Sequence, residues 1–176
     1  MKRLFGTDGI REIADELMSD NFAEKVGLAL ALMLKENRCA TSGVIIGEDT
    51  RISSPEIRDA IAKGINIGGM DAIILGVCPT PAIAYLVKEY GYAAGVMISA
   101  SHNPYSYNGI KIFGKDGFKI PQKCEKRIEE IIEDEEFSEA INKGKTTVKK
   151  EEVKKYIDYL ASNFKELLCG LRIGID

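Results

Sequence analysis

Gly95-Val-Met-Ile-Ser-Ala-Ser-His-Asn-Pro-Tyr-Ser-Tyr-Asn-Gly-Ile-Lys-Ile-Phe113 runs an apolar segment straight into a cluster of small polar and reactive side chains. Gly95 to Ile98 reads as a strand buried on both faces, because a short apolar run with β-branched residues at alternate positions suits a covered sheet. Ser101, His102 and Asn103 then fall on the turn at the strand's end, where Pro104 removes a backbone donor and biases Asn103 away from helix. A second apolar segment, Ile110 to Phe113, follows. If it is extended, Lys111 points away from the face shared by its neighbours.

A serine acts as a nucleophile only when one group takes its proton and another stabilises the charge developing on the group it attacks. Lys111 suits either role. The plainer reading is a polar turn between two strands, since such turns favour these residues.

Working outward, Val44-Ile-Ile46 reads as a strand, and Ser53 with Glu56, or Ser54 with Pro55, as the start of a helix reaching about Gly68. Ala72 to Leu75 reads as a second strand. Thr80 as cap and Pro81 as first helical residue then open a helix through Tyr85 and Leu86. Strand, helix, strand, helix, strand predicts an α/β layer with largely parallel pairing. Ligands in open α/β sheets gather at the carboxyl ends of the strands. The loops carrying Asp49 and Arg51, Thr80 and Ser101 all lie there. Asp49 and Arg51 are expected to pair with each other and fix a loop, and Thr80 to cap.

Before this core, Phe5-Gly-Thr-Asp-Gly-Ile-Arg11 places two glycines around Thr7 and Asp8, as a turn making a close backbone approach would. Phe22, Val26, Ala29, Leu30 and Met33 repeat at helical spacing behind Asp20 or Asn21 as cap. After the core, Cys124, Ile128, Ile131 and Ile132 mark an amphipathic helix, and Glu133 to Glu136 a solvated surface. Phe137 to Lys150 reads as a loop or linker. Val153, Tyr156, Ile157, Leu160, Phe164 and Leu167 mark a further helix. Gly170-Leu-Arg-Ile-Gly-Ile-Asp176 has the pattern of a fresh strand, which suggests a truncated chain.

The 176 residues are 45% hydrophobic and 29% charged, within the ordinary globular range. A net charge of -3 argues against a general nucleic-acid binder. No run approaches the roughly 18 to 20 apolar residues of a membrane span. With no signal core behind Met1-Lys-Arg, the expected location is the cytoplasm. Cys39, Cys78, Cys124 and Cys169 are scattered and read as reduced structural thiols. His102 is the sole histidine, so a zinc set is not indicated, and any metal would be a hard ion held by oxygens.

The run Ser-Ala-Ser-His-Asn-Pro, then Asn-Gly-Ile-Lys-Ile-Phe, then Gly-Lys-Asp-Gly-Phe-Lys-Ile resembles the phosphoserine loop of the α-D-phosphohexomutases. Phe5 to Arg11, Pro79 to Leu86 and Phe113 to Phe118 are most similar to the phosphoglucosamine mutase branch. The resemblance implies a three-layer α/β domain with a mixed, largely parallel sheet between helices, the first of the family's four domains. It divides the chain into a core at 1–136, a linker and helix at 137–169, and the truncated opening strand of the second domain at 170–176.

It also implies that Ser101 carries a phosphoryl group, gives it to one oxygen of a hexose or hexosamine phosphate, and recovers another from the resulting bisphosphate. For this branch, glucosamine 6-phosphate and glucosamine 1-phosphate interconvert. Lys111 is then the acid/base and Arg11 stabilises phosphoryl charge. His102 and Asn103 orient the loop or contact phosphate. A sugar bisphosphate acts as activator. Magnesium bridges the Ser101 phosphate and three aspartates, but the family's Asp-Gly-Asp-x-Asp-Arg loop is absent from this chain, and Asp49 and Asp116 are not replacements. The chain by itself is therefore expected to be inactive, its partners being the sugar phosphate and the remaining domains.

Three rival readings stand beside this one. A phosphomannomutase or phosphoglucomutase keeps the chemistry and changes the sugar. A serine hydrolase lacks its Gly-x-Ser-x-Gly elbow and has only the adjacent His102 as base. A sugar-phosphate-binding module would retain the loop without catalysis.

Overall fold

The computed structural model describes residues 4–37, 42–134, 143–164 and 170–174. Short β-branched runs build the sheet: β1 (Ile10–Ile13), β2 (Val44–Glu48), β3 (Ala72–Val77), β4 (Ala94–Ile98), β5 (Tyr107–Gly114) and β6 (Thr146–Val148), ordered β1-β5-β4-β2-β3-β6. The three pairings β4-β2, β2-β3 and β3-β6 are parallel; β1-β5 and β5-β4 are antiparallel. The sheet is thus largely parallel, as the strand and helix spacing predicts, and mixed, as the family resemblance implies.

The helices are α1 (Ala14–Met18), α2 (Phe22–Glu36), α3 (Ser54–Ile67), α4 (Thr80–Tyr90), α5 (Gln122–Glu133) and α6 (Val153–Phe164). Alternation along the strands divides the core between two faces. Val44, Ile46, Val96, Ile98, Ile110 and Ile112 pack with α2, α3 and α5. Ile45, Ile73, Leu75 and Met97 pack with Ile83, Leu86 and Val87 of α4, and Tyr156 of α6 joins them. This is a three-layer arrangement. On one side α2 and α3 touch backbone to backbone: a Cβ at Gly64 would meet the Glu24 carbonyl at 2.0 Å, and one at Gly27 the Ile61 carbonyl at 2.2 Å.

Several local expectations are corrected. Thr146–Val148, read as loop, forms β6 by adding its backbone to the edge of β3. Ile10 and Arg11, read as the end of the Phe5–Arg11 turn, instead begin β1, which pairs with β5. Thr80 is not a cap: Pro79 holds that position and Thr80 is the first residue of α4. Asn21 and Ser53 do precede their helices but make no capping bond. The hydroxyls of Ser53 and Ser54 instead accept bonds from the buried Asn108 amide at 2.9 and 3.1 Å, a partner that outbids the local helix end.

Glu133 and Asp134 are exposed; Glu135 and Glu136 lie outside the described residues, as do Cys39, Cys169 and Leu167. Cys78 is a free thiol, and burial pushes its pKa up to about 11. Residues 170–174 turn at Gly170 and pair with no described strand.

Candidate active site

The β4–β5 connection carries Ser101 at the carboxyl end of β4. Ser101 adopts a left-handed backbone, φ 58°, which is uncommon for a residue with a side chain and needs outside support. Its N–H donates to the Ser99 hydroxyl at 3.0 Å. The larger support is Arg51, whose guanidinium donates to the carbonyls of Pro104 (2.7 Å), Tyr107 (3.0 Å), Ser101 (2.9 Å) and Asn103 (3.0 Å). A planar fork of donors can hold several carbonyls at once, which an ammonium could not do in the same geometry.

Arg51 is itself aimed by Asp49, whose carboxylate accepts the Arg51 Nε–H at 3.0 Å and backbone N–H at 3.1 Å, and the Ser54 hydroxyl at 3.0 Å. Burial raises the Asp49 pKa, but these bonds together with one from the Ser99 hydroxyl outweigh it and hold the carboxyl below its ordinary value. The expected Asp49–Arg51 pair is present. What the sequence reading missed is its object: the loop it holds is that of Ser101, some fifty residues away.

Lys111 sits in β5 between Ile110 and Ile112, which face the α2 side, so it shares the α4 side with Phe113. It is half-buried. Burial, and then the neighbouring Arg11 charge, lower its pKa against the opposing pull of Asp8 and Asp49. A lysine so placed loses its proton more readily than one in water.

Arg11, in β1 beside β5, reaches Asp8 at 2.9 Å and the Asn103 side-chain oxygen at 3.4 Å. Asp8 stands on the Gly6–Gly9 turn, which must have glycine at its end: Gly9 has φ 96°, and a Cβ there would meet the Ile110 carbonyl at 2.3 Å.

Ser101, Lys111 and Arg11 line one cavity of about 270 Å³ with Asp8, Thr80 and Lys119. Thr80 thus brings the amino-terminal end of α4 to the cavity, at the strand edge where the chain order puts it. Asn103 is half-buried and touches the site through Arg11. His102 is exposed, does not line the cavity, and its side chain bonds to no described residue. Serine, lysine and arginine therefore converge, whereas His102 stands outside them.

The sequence and the fold have counterparts in known proteins. Residues 2–139 match the family model described as phosphoglucomutase/phosphomannomutase, alpha/beta/alpha domain I. Phosphoglucosamine mutases of Clostridium tetani and Caldanaerobacter subterraneus subsp. tengcongensis are 42% and 43% identical across all of this chain. The chain spans about 40% of the length of each. A phosphoglucomutase/phosphomannomutase family protein of Burkholderia thailandensis shares the fold at a TM-score of 0.78 and 20% identity, over 93% of this chain and 36% of that one. With a serine, a lysine and an arginine gathered at the carboxyl edge of a three-layer sheet, and with these matches along its length, this chain belongs to the phosphoglucomutase/phosphomannomutase family and is similar to its bacterial phosphoglucosamine mutases.

Proposed function

We propose that this chain provides the phosphoserine centre of a phosphoglucosamine mutase, with Ser101 bearing the phosphoryl group. The observation that carries this reading is the single cavity in which Ser101, Lys111 and Arg11 meet. Phosphoryl transfer asks little covalent chemistry of the protein and much positioning and charge neutralisation. A sugar phosphate enters with a hydroxyl in line with the phosphorus on Ser101. The bond from Ser101 Oγ to phosphorus breaks as the bond from the sugar oxygen forms, and the hydroxyl proton passes to Lys111 Nζ. Arg11 stabilises the charge spread over the phosphoryl oxygens. In the return step Lys111 gives the proton to the departing sugar oxygen while Ser101 takes back the other phosphoryl group of the bisphosphate. Asn103 serves the site through Arg11, while His102, exposed and outside the cavity, takes no part in the transfer.

Magnesium would find one ligand here, a phosphate carried by Ser101. Among the described residues no three His, Cys, Asp or Glu side chains gather to hold a metal ion. The Asp49 carboxylate is occupied by Arg51 and Ser54. These residues do not fit a complete divalent site, which needs several oxygen ligands, so the transfer is derived from the cations alone. Holding a bisphosphate while it turns round needs more contacts than this cavity supplies, so net isomerisation is expected of a longer polypeptide rather than of the chain by itself. Its activator is a sugar bisphosphate and its partners are a hexosamine phosphate and the further domains. Among the described residues no helix is long and apolar enough to cross a membrane, and a cytoplasmic location suits phosphorylated sugars.

Incubation with glucosamine 1,6-bisphosphate, followed by intact-mass measurement and peptide mapping, tests the assignment. One phosphate on Ser101, absent from Ser101→Ala, is the expected result. A label on Ser99, or undiminished labelling of Ser101→Ala, would sink it. Faster labelling by the mannose or glucose bisphosphate would favour the phosphomannomutase or phosphoglucomutase reading.

A further inference from the structure

We propose that Lys119, paired with Glu125, is a positioning residue that ties the Gly6–Gly9 turn to α5 and thereby fixes the Arg11 guanidinium at the Ser101 cavity. This rests on the reading of Ser101 as phosphoryl carrier. The contacts of Arg11 itself are too few to place it. Its partner Asp8 is 62% exposed, and its bond to Asn103 is long at 3.4 Å. An exposed ion pair contributes little to holding a side chain. The Arg11 Nε is buried and has no partner. The placement of the guanidinium must therefore come from the backbone that carries it.

That backbone is gripped on two sides. Towards the sheet, the Gly6 N–H closes the turn on the Gly9 carbonyl at 2.9 Å, and Gly9 lies against β5. Towards α5, the Glu129 carboxylate accepts the N–H groups of Leu4 and Phe5 at 2.8 and 3.0 Å. Lys119 then donates to the Gly6 carbonyl at 3.1 Å, while its ammonium lies 2.6 Å from Glu125 Oε1 in an ion pair rather than a directed hydrogen bond.

Glu125 and Glu129 stand one turn apart on the core-facing side of α5 and are 3% and 9% exposed. A buried carboxylate is costly unless something specific compensates it. Glu129 is compensated by the segment leading to Arg11 itself, and Glu125 by Lys119, whose ammonium also reaches that segment at the Gly6 carbonyl. Lys119 also lines the cavity beside Ser101, Lys111 and Arg11, so the tether ends at the reacting centre.

Lys119→Met by itself leaves Glu125 buried and unpaired, which endangers the fold. The informative variant is therefore Lys119→Met/Glu125→Gln, which removes both charges, with Lys119→Arg as the conservative control. Two readouts are followed in protein carrying ¹⁵N-arginine: the heteronuclear NOE of the Arg11 Nε–H, and the rate of Ser101 phosphorylation by glucosamine 1,6-bisphosphate.

Expected are an ordered Arg11 in the parent and in Lys119→Arg, and a mobile one in the double variant with melting preserved. Phosphorylation of the double variant should slow about tenfold to a hundredfold, as misplacement by roughly an ångström does. An Arg11 as ordered in the double variant as in the parent would overturn the proposal. Lost Arg11 order with an unchanged rate would uphold the tether and remove Arg11 from the transfer. No Ser101 labelling in the parent would overturn the phosphoserine reading, and the Arg11 signal alone would then decide the tether.

Discussion

The two faces of the sheet are covered in different ways. On one face α2 and α3 meet at Gly27 and Gly64 with no room for a single added carbon, and the strands beneath them bury Val44, Ile46, Val96 and Ile98 completely. On the other, α4 packs closely but α6 buries none of its residues, and it rests on α4 largely through Tyr85, whose ring stacks on Tyr159 at 4.5 Å and tilts against Tyr156 at 5.6 Å. Lys111 points to this second, thinner side. The cavity that Lys111 shares with Ser101 and Arg11 opens beside the amino-terminal end of α4, while the tighter face holds the strands in place.

Lys111→Met should produce the largest effect. Loss of the acid/base should slow phosphoryl transfer by about 10²- to 10⁴-fold, with little change in melting temperature. A near-normal rate would mean that the thinner face does not carry the reaction, and the comparison would fail.

Gly64→Ala tests the tighter face. An extra methyl favours a helix by about 1 kcal/mol, but here it collides with backbone that cannot step aside, so a net loss of roughly 2 to 3 kcal/mol is expected by denaturant titration. Ser101 labelling of the folded fraction should be unaffected. A stabilised Gly64→Ala would show that the α2–α3 contact is looser than described.

Tyr85→Ala should cost less, about 1 kcal/mol beyond the lost area, because its ring pairs lie on a partly solvated surface. Detachment of α6, read as faster amide exchange in residues 153–164, should accompany it. Unchanged exchange there would mean that α6 is held by other contacts.

The pH dependence sharpens the role of Lys111. Burial and the Arg11 charge lower its pKa from the usual 10.5, so the neutral amine that accepts a proton becomes available below that value. The transfer rate should rise with pH, its midpoint lying below the 10.5 of an ordinary lysine. Lys111→Arg, which stays charged, should abolish the rise. A parent profile that is flat through this range would remove the base role.

Much of this architecture is legible along the chain because its cause is local. Apolar periodicity within a few residues specifies β2, β3, β4 and the helices between them, and the chain order puts Ser101, Asp49 and Thr80 at one edge of the sheet. The Ser-His-Asn-Pro run and Lys111 are likewise visible, although their shared cavity is not. β1 and β6 escape such a reading: Ile10-Arg-Glu-Ile13 has two charges among four residues and Thr146–Val148 is largely polar, so only the neighbouring strand makes either one a strand.

The supports of the site are hidden for the same reason at longer range. Arg51 meets the serine loop at separations of 50 to 56 residues, and Glu129 meets Leu4 across 125. In sequence Glu125 and Glu129 belong to the charged side of an amphipathic helix; burial against the incoming amino-terminal segment turns them into clamps. Local pattern determined where the strands, the helices and the reactive loop lie. Tertiary structure decided which charges hold that loop in place, because a side chain's electrostatic partner is chosen by proximity in space and leaves no periodic trace in the chain.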